Sequence, residues 1–221
     1  MAAQRAAKPY KPVVIGVNHR PENVAGTIRS IQAALDGGRR SVGLEATRKE
    51  LAGLQKPKDD FFIKIARHLE PQGIDLHVLD GSMDKEIFYN LGDGRAEEIE
   101  RADRKERELY EKFAGASDGE LLRQARKFPK EIAIAYASGP LRNKYMLRQI
   151  QRAKPEVVVV GYYHAPYLAR ALGTRVCADY ATRRKSHPHG HYYGLYEFTE
   201  RAYRLLKKDK IAQRLEARKA G

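Results

Sequence analysis

The chain has 221 residues and a formal net charge of +14, with 42 Lys and Arg against 28 Asp and Glu. This surplus favours anionic partners over neutral ones, and the length suits one sizeable domain with appendages. The composition excludes an internal disulfide, because Cys177 is the only cysteine, and it excludes a bilayer-spanning segment, because no apolar run approaches roughly 20 residues.

Short apolar runs alternate with helical patterns along the first 80 residues. The runs at 12–18 (PVVIGVN), 40–46 (RSVGLEA) and 74–80 (IDLHVLD) predict buried strands. Helices are predicted from Pro21 to about Leu35 and over 59–69 (DDFFIKIARHL).

The second half continues the alternation after a charged interruption. Residues from about 84 to 127 predict a helical insertion, and Gly139 and Pro140 predict the start of another helix over 141–153. The run at 156–163 (EVVVVGYY) predicts a strand, followed by a short helix over 164–173 and a strand around 174–177. Continuous apolar strands between helices favour an α/β fold with a mostly parallel sheet and helices on both faces.

This pattern predicts three regions. Residues 1–12 form a flexible basic N-terminus without the apolar segment of a secretory signal, so we expect a cytoplasmic protein. Residues 13–180 form the α/β domain with the helical insertion, and residues 181–221 form a basic His-rich loop and an amphipathic C-terminal helix.

Each of four predicted strands ends in a residue that can act as an acid, a base or a metal ligand: His19, Glu45, Asp80 and His164. In open parallel sheets, ligands bind beyond the carboxyl ends of the strands, so we expect these four segments to converge on one site. Alternative interpretations remain: Glu45 neutralises a nearby Arg, Asp80 caps a turn before Gly81, and either His is a structural cap.

The motif Gly-x-x-His-x-Pro occurs at 16–21 and again at 161–166. The glycine permits a bend or close approach, and the proline suits the first turn of a following helix. Each His then lies near a helix N-terminus, where a neutral imidazole is favoured. Two histidines and two carboxylates predict a site for a divalent transition metal, with His19, His164, Glu45 and Asp80 as ligands.

The same stretches carry a resemblance to a known family. The segments GVNH at 16–19, GLE at 43–45, VLD at 78–80, LRNKYM at 141–146 and VVVVGYYHAPYL at 157–168 resemble the TraB/PrgY family, which belongs with erythromycin-esterase-like, ChaN-like and Tiki proteins. The resemblance implies His19, Glu45, Arg142 and His164 as site residues. It also implies a peptidase-like, metal-dependent activity, although other members of the group bind haem or hydrolyse esters.

This chain departs from the family pattern at several positions. Asn18 replaces a usual Thr or Ala, and Asp80-Gly81 ends the third strand where Arg is frequent. Tyr162 and Tyr163 stand where small residues are common, so Tyr163 is predicted to narrow the pocket beside His164.

The segment RRKSHPHGHYYG at 183–194 lies outside that pattern. His187, His189 and His191 form a short alternating tract in a segment predicted to be a loop, which is weakly indicative of metal binding. Basic residues beside aromatic ones also occur at single-stranded nucleic-acid sites, and a substrate lid is a third interpretation.

Two functional hypotheses follow. The first is a metal-dependent hydrolase of peptides or other carbonyl-containing substrates. Its catalytic residues are Glu45, as a metal ligand or the general base that activates water, and Arg142, which holds an anionic part of the substrate or transition state. The second is a non-catalytic nucleic-acid-binding protein that uses Arg183, Arg184, Lys185, Lys207 and Lys208. The amphipathic C-terminal helix and the charged insertion are also suited to homo-oligomer formation.

Overall fold

The computed structural model describes residues 10–52, 61–80, 95–178 and 189–220. Within these ranges a five-stranded sheet comprises β1 (Val13–Val17), β2 (Ser41–Leu44), β3 (Asp75–Val78), β4 (Val157–Gly161) and β5 (Val176–Ala178). The strand order is β3-β2-β4-β1-β5, and every pair is parallel. The predicted α/β class is therefore confirmed.

Helices connect the strands, and further helices form the insertion and the C-terminal region. They are α1 (Val24–Leu35), α2 (Arg48–Leu51), α3 (Phe61–Leu69), α4 (Arg95–Phe113), α5 (Asp118–Ala125), α6 (Pro129–Tyr136), α7 (Arg142–Ala153), α8 (Ala165–Ala171) and α9 (His189–Ala220). Short 3-10 turns at Pro21–Asn23 and Glu70–Gln72 precede α1 and follow α3. None of the helices in the described ranges is long and apolar enough to cross a membrane.

The central strand β4 shows why the strand sequences are continuously apolar. Its valines are all buried and alternate between two apolar clusters. Val157 and Val159 join a cluster that includes residues of α1 and α3, whereas Val158 and Val160 join one that includes residues of α7 and α8. A parallel strand that is covered on both faces has no polar face, so strict alternation is absent.

The winding of the chain creates a crevice beside β4. From β1 the chain moves through β2 to β3, and from β4 it moves in the opposite direction to β5. Because β2 and β4 are neighbours and their following connections diverge, the carboxyl ends of these two strands form a switch point. Ligand sites of open α/β sheets lie at such points.

The chain divides into two compact units, one formed by 1–81 and 145–187 and the other by 82–144 and 188–221. The helical insertion and the C-terminal helix, which the sequence analysis treats as separate regions, thus belong together. They share an apolar cluster that contains Leu109, Leu121 and Phe198. The apolar residue Leu109 of α4 is thus covered by other helices, one of which, α9, comes from a distant part of the sequence.

Two local predictions differ from the structure. Gly139 and Pro140 do not open a helix but lie within a π-helical turn, Ala137–Leu141, between α6 and α7. Proline lacks the backbone N–H that a regular α-helix uses, which accounts for the altered turn. The predicted His-rich loop is also shorter than expected, because His189 and His191 already belong to α9.

In the described part of the helical unit, the carboxyl group of Glu106 on α4 is buried. The Thr199 hydroxyl of α9 lies within hydrogen-bond distance of both the Glu106 carboxyl oxygen and the carbonyl oxygen of Leu195, the latter at 2.9 Å. One hydroxyl proton cannot serve both acceptors, whereas a protonated Glu106 donates to Thr199 and leaves Thr199 to donate to Leu195. Burial agrees with this assignment, since it raises the pKa of Glu106 to about 7.

We expect the free energy of unfolding to fall as the pH rises from 4.5, the ordinary pKa of a glutamate, through about 7. The reason is that the folded chain holds a proton on Glu106 in this range and the unfolded chain does not. A Glu106→Gln variant stays neutral at every pH. Its free energy of unfolding should therefore exceed that of the wild type by about 1–3 kcal/mol at pH 8 and by little at pH 4.5. Urea titrations at both pH values measure the difference, and an equal difference at the two would contradict the assignment.

Candidate active site

Three of the predicted residues follow three adjacent strands. His19 follows β1, Glu45 follows β2 and His164 follows β4, and β4 pairs with both of the others. The register aligns Val17 with Gly161, so the ends of β1 and β4 are level. The structure therefore brings His19, Glu45 and His164 together at the switch point of the sheet.

Glu45 lies between the two imidazole rings. Its Oε1 is 3.6 Å from His164 Nε2, and its Oε2 is 4.0 Å from His19 Nε2. The Gly161 backbone N–H donates a short hydrogen bond to Oε2. Only 1% of the Glu45 side chain is exposed, so this carboxylate acts on its two neighbours and has little contact with solvent.

The two histidines differ in exposure. The His19 side chain is 28% exposed and that of His164 is 8% exposed. Both aromatic residues at the start of α3 hold the His19 ring: Phe62 meets it edge-on at 4.6 Å between centroids, and Phe61 stacks at 5.5 Å. His19 is therefore the member of the cluster that an incoming molecule reaches most easily.

His164 is fixed by the start of a helix. It is the N-cap residue of α8, and its backbone carbonyl accepts from the Leu168 N–H at 3.1 Å. Pro166 occupies the first turn, as the motif predicts. His19 lies two residues before the 3-10 turn that leads into α1, so the predicted placement near a helix start is confirmed for His164 and is less direct for His19.

The repeated glycines serve different contacts. A Cβ atom on Gly161 would lie 3.1 Å from both Glu45 Oε2 and His19 Nε2, so only glycine lets this strand end approach the site so closely. A Cβ atom on Gly16 would instead lie 3.0 Å from the Ala165 side chain at the start of α8. One glycine thus makes room for the site, and the other makes room for the helix that carries His164.

The remaining predicted residues lie around this cluster or apart from it. Asp80 is at the same edge of the sheet, where its backbone N–H donates to the Ala46 carbonyl at 3.3 Å. Arg142 is the half-buried first residue of α7 and is grouped with the helical unit. Their roles as a metal ligand and an anion-holding group stay predictions.

The basic residues of the second hypothesis are only partly described. Lys207 and Lys208 are exposed on α9. Arg183, Arg184, Lys185 and His187 lie outside the described residues. Nucleic-acid binding through this region therefore stays a prediction.

The side chains in the described part of the chain do not form the predicted metal centre. Among those residues, no group of three or more His, Cys, Asp and Glu side chains is arranged to hold a metal ion. Ligands of a tetrahedral ion with bonds of about 2.1 Å lie about 3.4 Å apart. The two imidazole nitrogens instead face different oxygens of Glu45, at 3.6 and 4.0 Å.

Sequence reasoning missed the aromatic contacts of His19. The helical pattern over 59–69 is typical of Phe61 and Phe62 in a core, and these residues also contact His19. The aromatic pair at the start of a helix was the available signal, but the pairing with His19 required the fold. Tyr163, which the sequence predicts to narrow the pocket, is 48% exposed beside His164, and burial raises the pKa of its neighbour Tyr162.

No family model, curated protein or solved structure matches the chain. The resemblance to the TraB/PrgY family consequently stays a prediction, and the site is interpreted from its own geometry.

Gly161→Ala should disturb the site directly, because the new methyl group must displace Glu45 or His19. We expect a loss of about 1–3 kcal/mol in the free energy of unfolding, typical of overpacking a close contact. Gly37→Ala is the matched control in the same unit, since its Cβ would meet only the flexible Arg39 guanidinium, at 3.3 Å. Equal unfolding midpoints for the two variants would show that Glu45 and His19 do not require the glycine.

Proposed function

We propose that this chain is a hydrolase that acts on a carbonyl-containing substrate such as a peptide. The observation that carries the proposal is the buried carboxylate of Glu45 between two imidazoles at the switch point of a parallel sheet. A carboxylate behind a partly exposed imidazole is an arrangement for general acid–base chemistry. The distances of 3.6 and 4.0 Å are longer than hydrogen bonds, and such contacts often tighten when substrate binds.

In this mechanism Nδ1 of His19 is the general base, because the His19 side chain is the most exposed of the three groups and its Nε2 is buried beside Glu45. It accepts a proton from the water whose oxygen attacks the carbonyl carbon. Glu45 fixes the orientation of the ring and stabilises the positive charge that develops on it. The protonated ring then returns the proton to the leaving amine or alcohol as the bond to the carbonyl carbon breaks, which restores neutral His19.

His164 and the aromatic residues support this geometry. His164 Nε2 lies 3.6 Å from the other oxygen of Glu45 and so supports the carboxylate from the end of a second strand, β4. Phe61 and Phe62 shield part of the His19 ring from water, which strengthens its interaction with the carboxylate. The sequence predicts Glu45 as a metal ligand or as the general base. In this mechanism Glu45 instead positions the general base, His19.

A divalent transition metal remains part of the proposal because the residue pattern predicts it and the resemblance implies it. His19, His164 and Glu45 are the residues that would bind it, and it would polarise the substrate carbonyl. Since the described side chains do not form a metal site, no step of the reaction is assigned to an ion.

The acid–base role is tested with a panel of fluorogenic peptides and activated esters. His19→Asn should lower kcat/KM by about 10²–10⁴-fold, the usual contribution of a general base, and Glu45→Gln should lower it comparably. His68→Asn is the matched control, because this exposed histidine of α3 contacts Gln32 and lies outside the cluster. Unchanged hydrolysis by His19→Asn, with circular dichroism like that of the wild type, would refute the proposal.

Metal dependence is tested separately by mass spectrometry of tag-free protein. The predicted metal site requires near-stoichiometric divalent metal in the wild type and its loss from the His19→Ala/His164→Ala double variant. Hydrolysis that survives chelation, with no metal in either protein, would remove the metal from the proposal and leave the acid–base chemistry.

A further inference from the structure

The opposite edge of the sheet carries a row of cations. Four of the five described strands are preceded, within three residues, by an exposed Lys or Arg. These residues, here called the basic edge, are Arg40 before β2, Lys154 before β4, Lys11 before β1 and Arg175 before β5. Their order across the sheet follows the strand order β2-β4-β1-β5.

Hydrogen bonds hold the segments of the basic edge side by side. The Val13 N–H donates to the Glu156 carbonyl at 2.9 Å, and the Thr174 hydroxyl donates to the Pro12 carbonyl at 3.1 Å. The Arg40 N–H donates to the Glu156 carboxylate at 2.6 Å. With neighbouring strands about 4.8 Å apart, the row from β2 to β5 extends over roughly 14 Å.

These four charges are not neutralised within the described residues. None of the ion pairs formed there includes Lys11, Arg40, Lys154 or Arg175. The nearby carboxylate of Glu156 is held by the Arg40 N–H and lies 3.4 Å from the Ser41 hydroxyl.

The helical unit shows the contrasting arrangement. The helical unit, residues 82–144 and 188–221, contains 21 Lys and Arg and 17 Asp and Glu, so 10 of the 14 surplus positive charges of the chain lie in the other unit. Many of the cations in this unit are paired, as in Arg126 with Asp209 and Arg201 with Asp118.

A depression of about 580 Å³ opens at one end of the basic edge. It is lined by Arg40 together with the polar side chains of Gln32, Asp36 and Gln72. Amide and carboxylate groups of this kind pair with the edges of nucleobases. The row of cations is therefore suited to a phosphate backbone, and the polar depression beside it is suited to a nucleobase.

We propose that the basic edge binds the phosphodiester backbone of nucleic acid. An anionic membrane fits the observations less well, because membrane-surface binding requires apolar side chains as well as cations. The large apolar side chains exposed in the described ranges are Tyr163 and Ile211. Tyr163 follows β4 at the carboxyl edge and Ile211 belongs to α9, so neither belongs to the basic edge.

The test measures fluorescence anisotropy of the full chain with labelled single-stranded RNA, single-stranded DNA and duplex DNA of 20 nucleotides. The variant Arg40→Gln/Lys154→Gln/Arg175→Gln removes three charges of the basic edge. Lys207→Gln/Lys208→Gln/Lys210→Gln removes the same number from exposed positions on α9 and is the matched control. Unchanged circular dichroism and thermal midpoints establish that both variants are folded.

We expect the basic-edge variant to bind at least tenfold more weakly than the wild type at 100 mM salt, and the α9 variant to bind within twofold of it. For the single strands, the slope of log K against log salt should also fall by about 2 in the basic-edge variant alone. An Arg40→Lys/Arg175→Lys variant should retain most of the affinity, since phosphate contacts depend mainly on charge.

Three results would overturn the proposal. Equal weakening in both triple variants would indicate attraction by net charge, and weakening in the α9 variant alone would place the contact on the C-terminal helix. Binding of the wild type to vesicles of phosphatidylserine and phosphatidylcholine without binding to any nucleic acid would assign the basic edge to membranes. Hydrolysis by the basic-edge variant is measured in parallel, and it reports on His19 and Glu45 independently of these outcomes.

Discussion

The burial of the Glu45 carboxylate is the constraint on which the site depends. A buried charge without partners costs several kcal/mol, so the surrounding chain must supply donors or compensating groups. The Gly161 N–H supplies one, and the two imidazoles flank the carboxylate on its other sides. Because these groups come from the ends of three different strands, the site exists only when β1, β2 and β4 are correctly aligned.

The fold was largely predictable because its signals are local. The valine run of β4 and the apolar run of β1 leave no polar face, and such strands require cover on both sides. The convergence of His19, Glu45 and His164 was also predictable, since parallel strands deliver their following loops to one edge. The type of strand was enough to predict the shared edge, whereas the contact of both imidazoles with Glu45 also depends on the strand order.

What escaped prediction depends on contacts between distant residues. The strand order places β4 between β1 and β2, and no local pattern encodes that choice. The same holds for the packing of α4 against α9, which unites the insertion with the C-terminal helix through Leu109 and Phe198. Pairing of Phe61 with His19 likewise required the fold, because an aromatic residue at a helix start is equally suited to a core.

The repeated Gly-x-x-His-x-Pro motif illustrates how one sequence pattern serves two mechanical purposes. In both copies glycine removes a side chain from a place where two parts of the chain come into contact. At Gly161 the contacting groups are Glu45 and His19, so the missing side chain serves the chemistry. At Gly16 the contact is with Ala165, the first residue of the helix that His164 caps, so the missing side chain serves the positioning of His164.

The two copies are therefore coupled through the sheet and not through sequence similarity alone. Val17 pairs with Gly161, and the Tyr162 N–H donates to the Val17 carbonyl at 2.8 Å, so β1 and β4 remain paired up to the motif in each strand. A displacement of either strand end would change the separation of a histidine from Glu45. The two copies of the motif thus place one imidazole at the end of each of two paired strands, from which both reach one carboxylate.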